Sequence, residues 1–219
     1  MDRVANVRSI RADREHLHWQ PTLLTAVADA PTFDASFATA RRIALDETAW
    51  VDHVSGWVDG ADALFERVVA DAPWTHRTVR MYDRMVEEPR LTAWYGHTLG
   101  DESVPAIFAA MAEALRVRYG RAFDGIGAAL YRDGHDSVAW HSDRVDPTLV
   151  EPLVAIVSLG SARTLRLRPK TKGRATRPFA LLPGDLFVMG GATQATWEHS
   201  VPKVASAGAR VSLQFRHST

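Results

Sequence analysis

Residues 129–143 read ALYRDGHDSVAWHSD and close on His141-Ser142-Asp143. In an extended strand successive side chains alternate faces, so His141 and Asp143 point one way and Ser142 the other. An imidazole and a carboxylate aimed at one point suit a divalent first-row metal. The triplet alone is weak, because short patterns arise by chance and most such residues are ordinary surface groups. A metal reading therefore needs a second histidine. Of the nine in the chain, His199 in TWEHSVPKV lies in another apolar, strand-like segment bounded by turn residues. His53, His97 and His135 sit in turns or lack a carboxylate at strand spacing.

The C-terminal strand strengthens this reading. Arg210 and Arg216 bracket VSLQF, and their even separation puts both guanidiniums on one face, with Val211, Leu213 and Phe215 on the other. An arginine inside such a strand is costly to bury without an anionic partner, so the pair predicts a carboxylate ligand gripped by planar hydrogen bonding. Two histidines and one carboxylate form the facial ligand set of non-haem Fe(II) oxygenases.

The ordered motifs YRDGHDSVAWHSD, VSLG, LPGDLFVMGG, TWEHSVPK and the Arg210/Arg216 pair resemble the AlkB family of Fe(II)- and 2-oxoglutarate-dependent dioxygenases, which dealkylate nucleobases. The resemblance covers residues 45–217 and implies roles one by one. His141, Asp143 and His199 would hold Fe(II), with 2-oxoglutarate and O2 as co-substrates. Arg210 and Tyr131 would bind the distal carboxylate of 2-oxoglutarate, Arg216 would lie near its metal-binding carboxylate, and Gln214 could touch the co-substrate. The reaction implied is oxidative dealkylation of N-alkylated bases in DNA or RNA, releasing succinate, CO2 and an aldehyde. The expected partner is nucleic acid, with alkylated DNA leading.

The resemblance also marks residues 75–98 as a nucleotide-recognition lid. There Arg77, Arg80, Arg84 and Arg90 alternate with Met81, Tyr82, Met85, Trp94 and Tyr95, a mixture that can bind phosphates and stack bases. Tyr82, at the position that can wedge into a duplex in DNA-directed relatives, Arg90, Trp94 and Tyr95 are the candidate substrate contacts. The alternative is a hairpin whose apolar residues are core and whose arginines face water. Two departures stand out. Ala129 takes the place of an asparagine that helps many relatives hold the co-substrate. Where several relatives place an acid just after the H-x-D, this chain has Arg144 and Val145, with Asp146 one step later.

A chain of 219 residues suits one domain with a sizeable core. Composition is that of a globular protein, with 46% hydrophobic and 24% charged residues. No run approaches membrane-span length and the N-terminus lacks the apolar core of a secretory signal, so a cytoplasmic protein is expected. Cysteine is absent, which removes disulfides and thiolate sites. A monomer is the expected state.

Net charge is zero, but its distribution is uneven. Arg163, Arg166, Arg168, Lys170, Lys172, Arg174 and Arg177 follow one another with no acid among them. Such a stripe is an electrostatic footprint for phosphate, with Arg166, Arg168 and Arg174 as candidate nucleic-acid contacts; a solvated hairpin that keeps an edge strand soluble is the competing reading.

Residues 1–44 show little periodicity and read as a partly flexible extension with a short helix, ahead of a single domain over 45–219. Residues 50–54 read as a strand. Leu64 and Val68, Phe65 and Val69 recur at helical spacing over 62–71, with Pro73 as the stop. A second helix is expected over 103–119, with Ile107, Met111 and Leu115 on one stripe, Phe108 beside them, and Gly120 ending it. Eight strand-like segments with turn signals follow. They predict an α+β, mainly β fold: a double-stranded β-helix (jelly-roll) core with flanking helices and an N-terminal lid. Two other functions stay open: the same oxygenase chemistry on RNA, a protein side chain or a small molecule, and a nucleic-acid-binding module without turnover, for which Ala129 is the direct support.

Overall fold

The computed structural model describes residues 17–20, 30–81, 84–96, 104–143, 148–149, 151–171 and 175–217. All eight C-terminal strands expected from the sequence are present, and the chain passes them between two facing sheets. Strands β7 (Gly125–Tyr131), β9 (Val154–Gly160), β12 (Leu186–Gly191) and β14 (Arg210–Arg216) belong to the major sheet, and β8 (Val138–His141), β10 (Arg163–Pro169), β11 (Arg177–Leu181) and β13 (Trp197–Val201) form the minor one. The major sheet is widened to eight strands by β2 (Ala40–Ala44) and β3 (Ala49–Val54) at one edge and β5 (Thr75–Met81) and β6 (Arg84–Gly96) at the other. All its ladders are antiparallel. A small pair, β1 (Thr32–Phe33) with β4 (Val58–Asp59), completes the set. This is the jelly-roll core expected from the strand count.

Alternation along each strand explains the two cores. Ile126, Ala128 and Leu130 of β7 and Val211, Leu213 and Phe215 of β14 face helices α1 (Ala61–Asp71) and α2 (Ala106–Tyr119), which bury Leu64, Phe65 and Val68 and Phe108, Met111 and Leu115 against them. The opposite face of the major sheet meets the minor sheet, where Ala129 and Tyr131 of β7 and Val154 and Ile156 of β9 pack on Leu165, Leu167, Leu181 and Trp197. Each Leu or Phe buried this way contributes about 1.5–3 kcal/mol. Helix α2 begins after Pro105, three residues later than expected from Ser103: Pro105 is its extended N-cap, with ψ 136°, and a proline disfavours helical backbone in the residue before it. It ends as expected at Gly120, whose left-handed φ of 67° lets its N–H bond Arg116 O at 2.8 Å.

Part of the presumed extension is organised. Strand β2 pairs along its length with β3, so the sheet begins before residue 45. Upstream, the N–H of Ala209 donates to His18 O at 2.7 Å and Trp19 packs against Phe65 with ring centroids 4.7 Å apart. Both contacts were invisible in the sequence because they depend on partners far along the chain. The short helix expected in this stretch falls outside the described residues. Among the described residues no helix is long and apolar enough to cross a membrane.

Candidate active site

Strand pairing sets the metal ligands side by side. β13 runs antiparallel to β8 with His199 opposite His141, and their ring centroids lie 4.2 Å apart. Asp143 follows just beyond the end of β8. One ligand atom from each of His141, Asp143 and His199 lies within 4.8 Å of the others. The Nδ1 of His141 is 2.9 Å from Ala139 O. A carbonyl can only accept, so Nδ1 carries the proton and Nε2 keeps its lone pair for a ligand. Burial pushes the His199 imidazole down to about 4, which keeps it neutral and able to coordinate.

Asp143 is held by a cation. Arg216 donates to its Oδ1 from Nε at 3.1 Å and from Nη2 at 3.0 Å, and also donates to Gln214 Oε1. Burial would raise the carboxyl, but the neighbouring imidazoles and Arg216 outweigh it and keep Asp143 below the usual carboxylate range. Its other oxygen, Oδ2, lies 3.4 Å from His199 Nε2 and is buried with no hydrogen-bond partner. An orphaned carboxylate oxygen between two imidazoles is costly unless a cation completes it. The donor set fits Fe(II).

A second incomplete group lies along β14. Arg210 is 1% exposed, donates from Nε to Ser158 Oγ at 3.0 Å, and leaves Nη1 buried without a partner. Its guanidinium carbon sits 5.4 Å from the Tyr131 ring centroid. Burial pushes the guanidinium down to about 10, so it stays charged at neutral pH. A buried cation with unfilled donors is built to receive an anion. Ser158 was missed in the sequence, although a lone hydroxyl in the apolar run LVAIVSLG was a usable signal. The register puts Thr92 and Ser212 on either side of Ala129, so hydroxyl residues border the position where relatives have asparagine.

The candidate substrate contacts divide. Trp94 lies on the site face and is 46% exposed; a Cβ on Gly127, opposite it in β7, would stand 3.2 Å from Trp94 Cε3, so glycine is what lets the indole lie against the sheet. Tyr95 is corrected: alternation turns it to the helix side, where it meets Phe108 edge-on at 5.2 Å. Arg90 borders the site, donating to Ser137 O at 3.3 Å and pairing with Glu88 at 3.0 Å. Tyr82 and Arg174 fall outside the described residues.

The basic stripe is also corrected. Arg163 is 5% exposed and donates to Asp133 O, Asp136 O and Pro202 O. Arg166 and Arg168 share a face of β10 with Glu198 and Ser200, opposite to the face that Leu167 shares with His199. They therefore look away from the metal ligands. Arg168 bonds Glu198 at 2.9 Å and stacks on Trp140 at 4.3 Å; Lys170 donates to Gln194 O and Arg177 to Ala44 O. Arg166 is exposed. A run of cations read as one patch is thus split by strand alternation, a division visible only once the strand's inner face is known.

The fold, the ligand set and the sequence agree on a class. The chain belongs to the 2OG-Fe(II) oxygenase superfamily, whose family model matches residues 58–216. Members use Fe(II), 2-oxoglutarate and O2. Within that class the chain is AlkB-like: it is 34% identical to alpha-ketoglutarate-dependent dioxygenase alkB homolog 3 of Bos taurus, over 74% of this chain and 63% of that protein. Against the alkB homolog 3 of Rattus norvegicus identity is 31%, over 94% of this chain and 77% of that one. The DNA oxidative demethylase ALKBH2 of Arabidopsis thaliana is 28% identical over 70% of this chain and 60% of its own length. The chain thus spans about 63% of the length of the bovine relative. The solved structure of OsALKBH1 shares the fold, with a TM-score of 0.53 at 15% identity, covering 81% of this chain and 100% of that one.

Proposed function

We propose that this protein oxidatively removes N-alkyl groups from nucleobases in DNA or RNA. The observation that carries the reading is the placement of Trp94, a half-exposed indole on the face of the major sheet that looks toward the minor sheet and its metal ligands, where a planar base can stack. The names of its relatives, an alkB homolog 3 dioxygenase and a DNA oxidative demethylase, support it.

His141, Asp143 and His199 would hold Fe(II). When bound, the metal with 2-oxoglutarate and O2 supplies oxidation of an N-alkyl C–H bond, coupled to decarboxylation of the co-substrate to succinate and followed by loss of the carbon as an aldehyde. The chain's own residues position the reactants. Arg210, steadied by Ser158 and lying against Tyr131, receives the distal carboxylate of 2-oxoglutarate. Arg216 keeps Asp143 ionised and stands beside the position of the metal-binding carboxylate, with Gln214 as its neighbour. Trp94 and Arg90 border the path of the base. A base inside a duplex cannot reach this depth, so the substrate is single-stranded or the base is flipped. Burial of Tyr131, His199 and Arg210 excludes water from the reacting groups.

The test is incubation of the purified chain with Fe(II), 2-oxoglutarate, O2 and N-methylated oligonucleotides, single- and double-stranded, followed by mass analysis. Loss of the methyl group dependent on all three additions is expected. Succinate without demethylation would keep the oxygenase and discard the nucleobase.

A further inference from the structure

Gln194 lies in the one-turn helix α3 (Thr193–Thr196), between β12 and the strand that carries His199, and is 5% exposed. Its side-chain Oε1 accepts the main-chain N–H of Asp143 at 2.9 Å. An N–H can only donate, so this contact fixes the amide orientation and turns Nε2 away. That Nε2 is buried with no partner. Packing alone would be better served here by an apolar side chain of similar volume, because half of the amide is left unsatisfied.

Asp143 needs such a contact. Strand β8 ends at His141, so the N–H of Asp143 has no place in a ladder. The residues around Gln194 form a short brace: Ser142 Oγ donates to Trp197 O at 3.4 Å, and Lys170 donates from Nζ to Gln194 O at 3.1 Å and from its main chain to Thr196 O at 2.9 Å. The segment 194–197 is thereby bound on one side to the H-x-D and on the other to the strand next to β13. Arg216 restrains the Asp143 carboxylate and Gln194 restrains its backbone.

We propose that Gln194 is a positioning residue for the metal: it fixes the main chain of Asp143 so that Oδ2 stays aimed at the point shared by His141 and His199. The proposal rests on the metal reading of that triad. Hydrogen-bond partners that orient a metal ligand change metal affinity by about ten- to hundredfold when lost, and Gln194 acts on its ligand through the ligand's main chain.

The experiment is calorimetric titration of the full chain with Mn(II), a redox-stable stand-in that needs no turnover. Gln194→Leu, which keeps volume but loses the acceptor, is expected to weaken Mn(II) about ten- to hundredfold. Gln194→Glu, which keeps an acceptor oxygen at the same place, is expected to retain most of the affinity. With Mn(II) saturating, 2-oxoglutarate binding is expected to be equal in all three proteins, because Arg210 and Ser158 are untouched. Gln194→Met repeats the loss with an unbranched chain should the leucine variant not fold. Unchanged Mn(II) affinity in the leucine and methionine variants, even with a lowered melting temperature, overturns the proposal and leaves a structural role; equal weakening in the glutamate variant overturns it as well. Failure of the unmodified protein to bind Mn(II) would instead remove the metal reading.

Discussion

Arg163 and Arg210 flank the same buried tyrosine, their guanidinium carbons 5.7 and 5.4 Å from the centre of the Tyr131 ring. Around Arg163 three carbonyls, those of Asp133, Asp136 and Pro202, accept its donors within 2.9 Å. Around Arg210 a single hydroxyl accepts Nε, and Nη1 faces no acceptor at all. The difference separates a cation that closes a loop from one that awaits a ligand. The same contrast holds for carboxylates: both Asp185 oxygens accept hydrogen bonds, from Gly56 N–H at 3.0 Å and Leu182 N–H at 3.0 Å, while Asp143 Oδ2 accepts none. Incomplete hydrogen bonding, more than charge or burial, sets Arg210 and Asp143 apart from these filled counterparts.

The largest effect should follow from removing the unsatisfied carboxylate or its histidine neighbour. Asp143→Ala and His199→Ala are expected to abolish succinate formation, measured with Fe(II) in excess, with little loss of secondary structure by circular dichroism. Next comes Arg210→Met. Truncating one side of a buried charge pair costs roughly 2–5 kcal/mol, so the KM for 2-oxoglutarate should rise about 30- to 4,000-fold. Its melting temperature should hold or rise, since an unpaired buried charge is gone. Arg163→Met should do the reverse. Orphaned carbonyls should cost about 3 kcal/mol, lowering Tm by roughly 6–12 °C, while KM measured below the transition stays the same. If both variants shifted the same quantity, the distinction between the two arginines would collapse.

The smallest effect concerns a satisfied carboxylate outside the site. A hydrogen bond from the Trp197 indole at 2.7 Å, followed by the Thr48 N–H, holds Asp46 down from 3.8 to about 2. Because the folded value is depressed, this contribution is complete above pH 3.8 and is lost as pH falls through about 2. Asp46→Asn should melt slightly lower at neutral pH, and the gap from the unmodified protein should close toward pH 2. A gap that stays constant across that window would show that the ionised carboxylate contributes nothing.

Much of the site was legible because period-two alternation is a strong rule. It placed His141 with Asp143 and Arg210 with Arg216 on shared faces, and the eight apolar segments after Gly120 carried the sandwich. The same rule explains what was misread. Arg166 and Arg168 were grouped with Arg163 by proximity in sequence, yet the strand sends them to opposite sides. Tyr95 was grouped with Trp94 although neighbours in a strand cannot share a face. Gln194 carried no signal at all, since its role depends on a backbone N–H that lies outside any ladder. Strand β2 was hidden by its short, charged sequence ARRIA, in which Arg42 gains its place only by bonding Asp52 of β3 at 2.7 Å and stacking on Trp50 at 3.6 Å.

The most direct test of the claim that unfilled groups define the site is binding of 2-oxoglutarate to the Mn(II)-loaded protein, followed by calorimetry in parallel for the unmodified chain, Arg163→Met and Arg210→Met. The account predicts binding in the first two with similar affinity and a loss of at least about 30-fold in the third. Equal binding by all three would contradict it, because the donors left open on Arg210 would then have no ligand to receive.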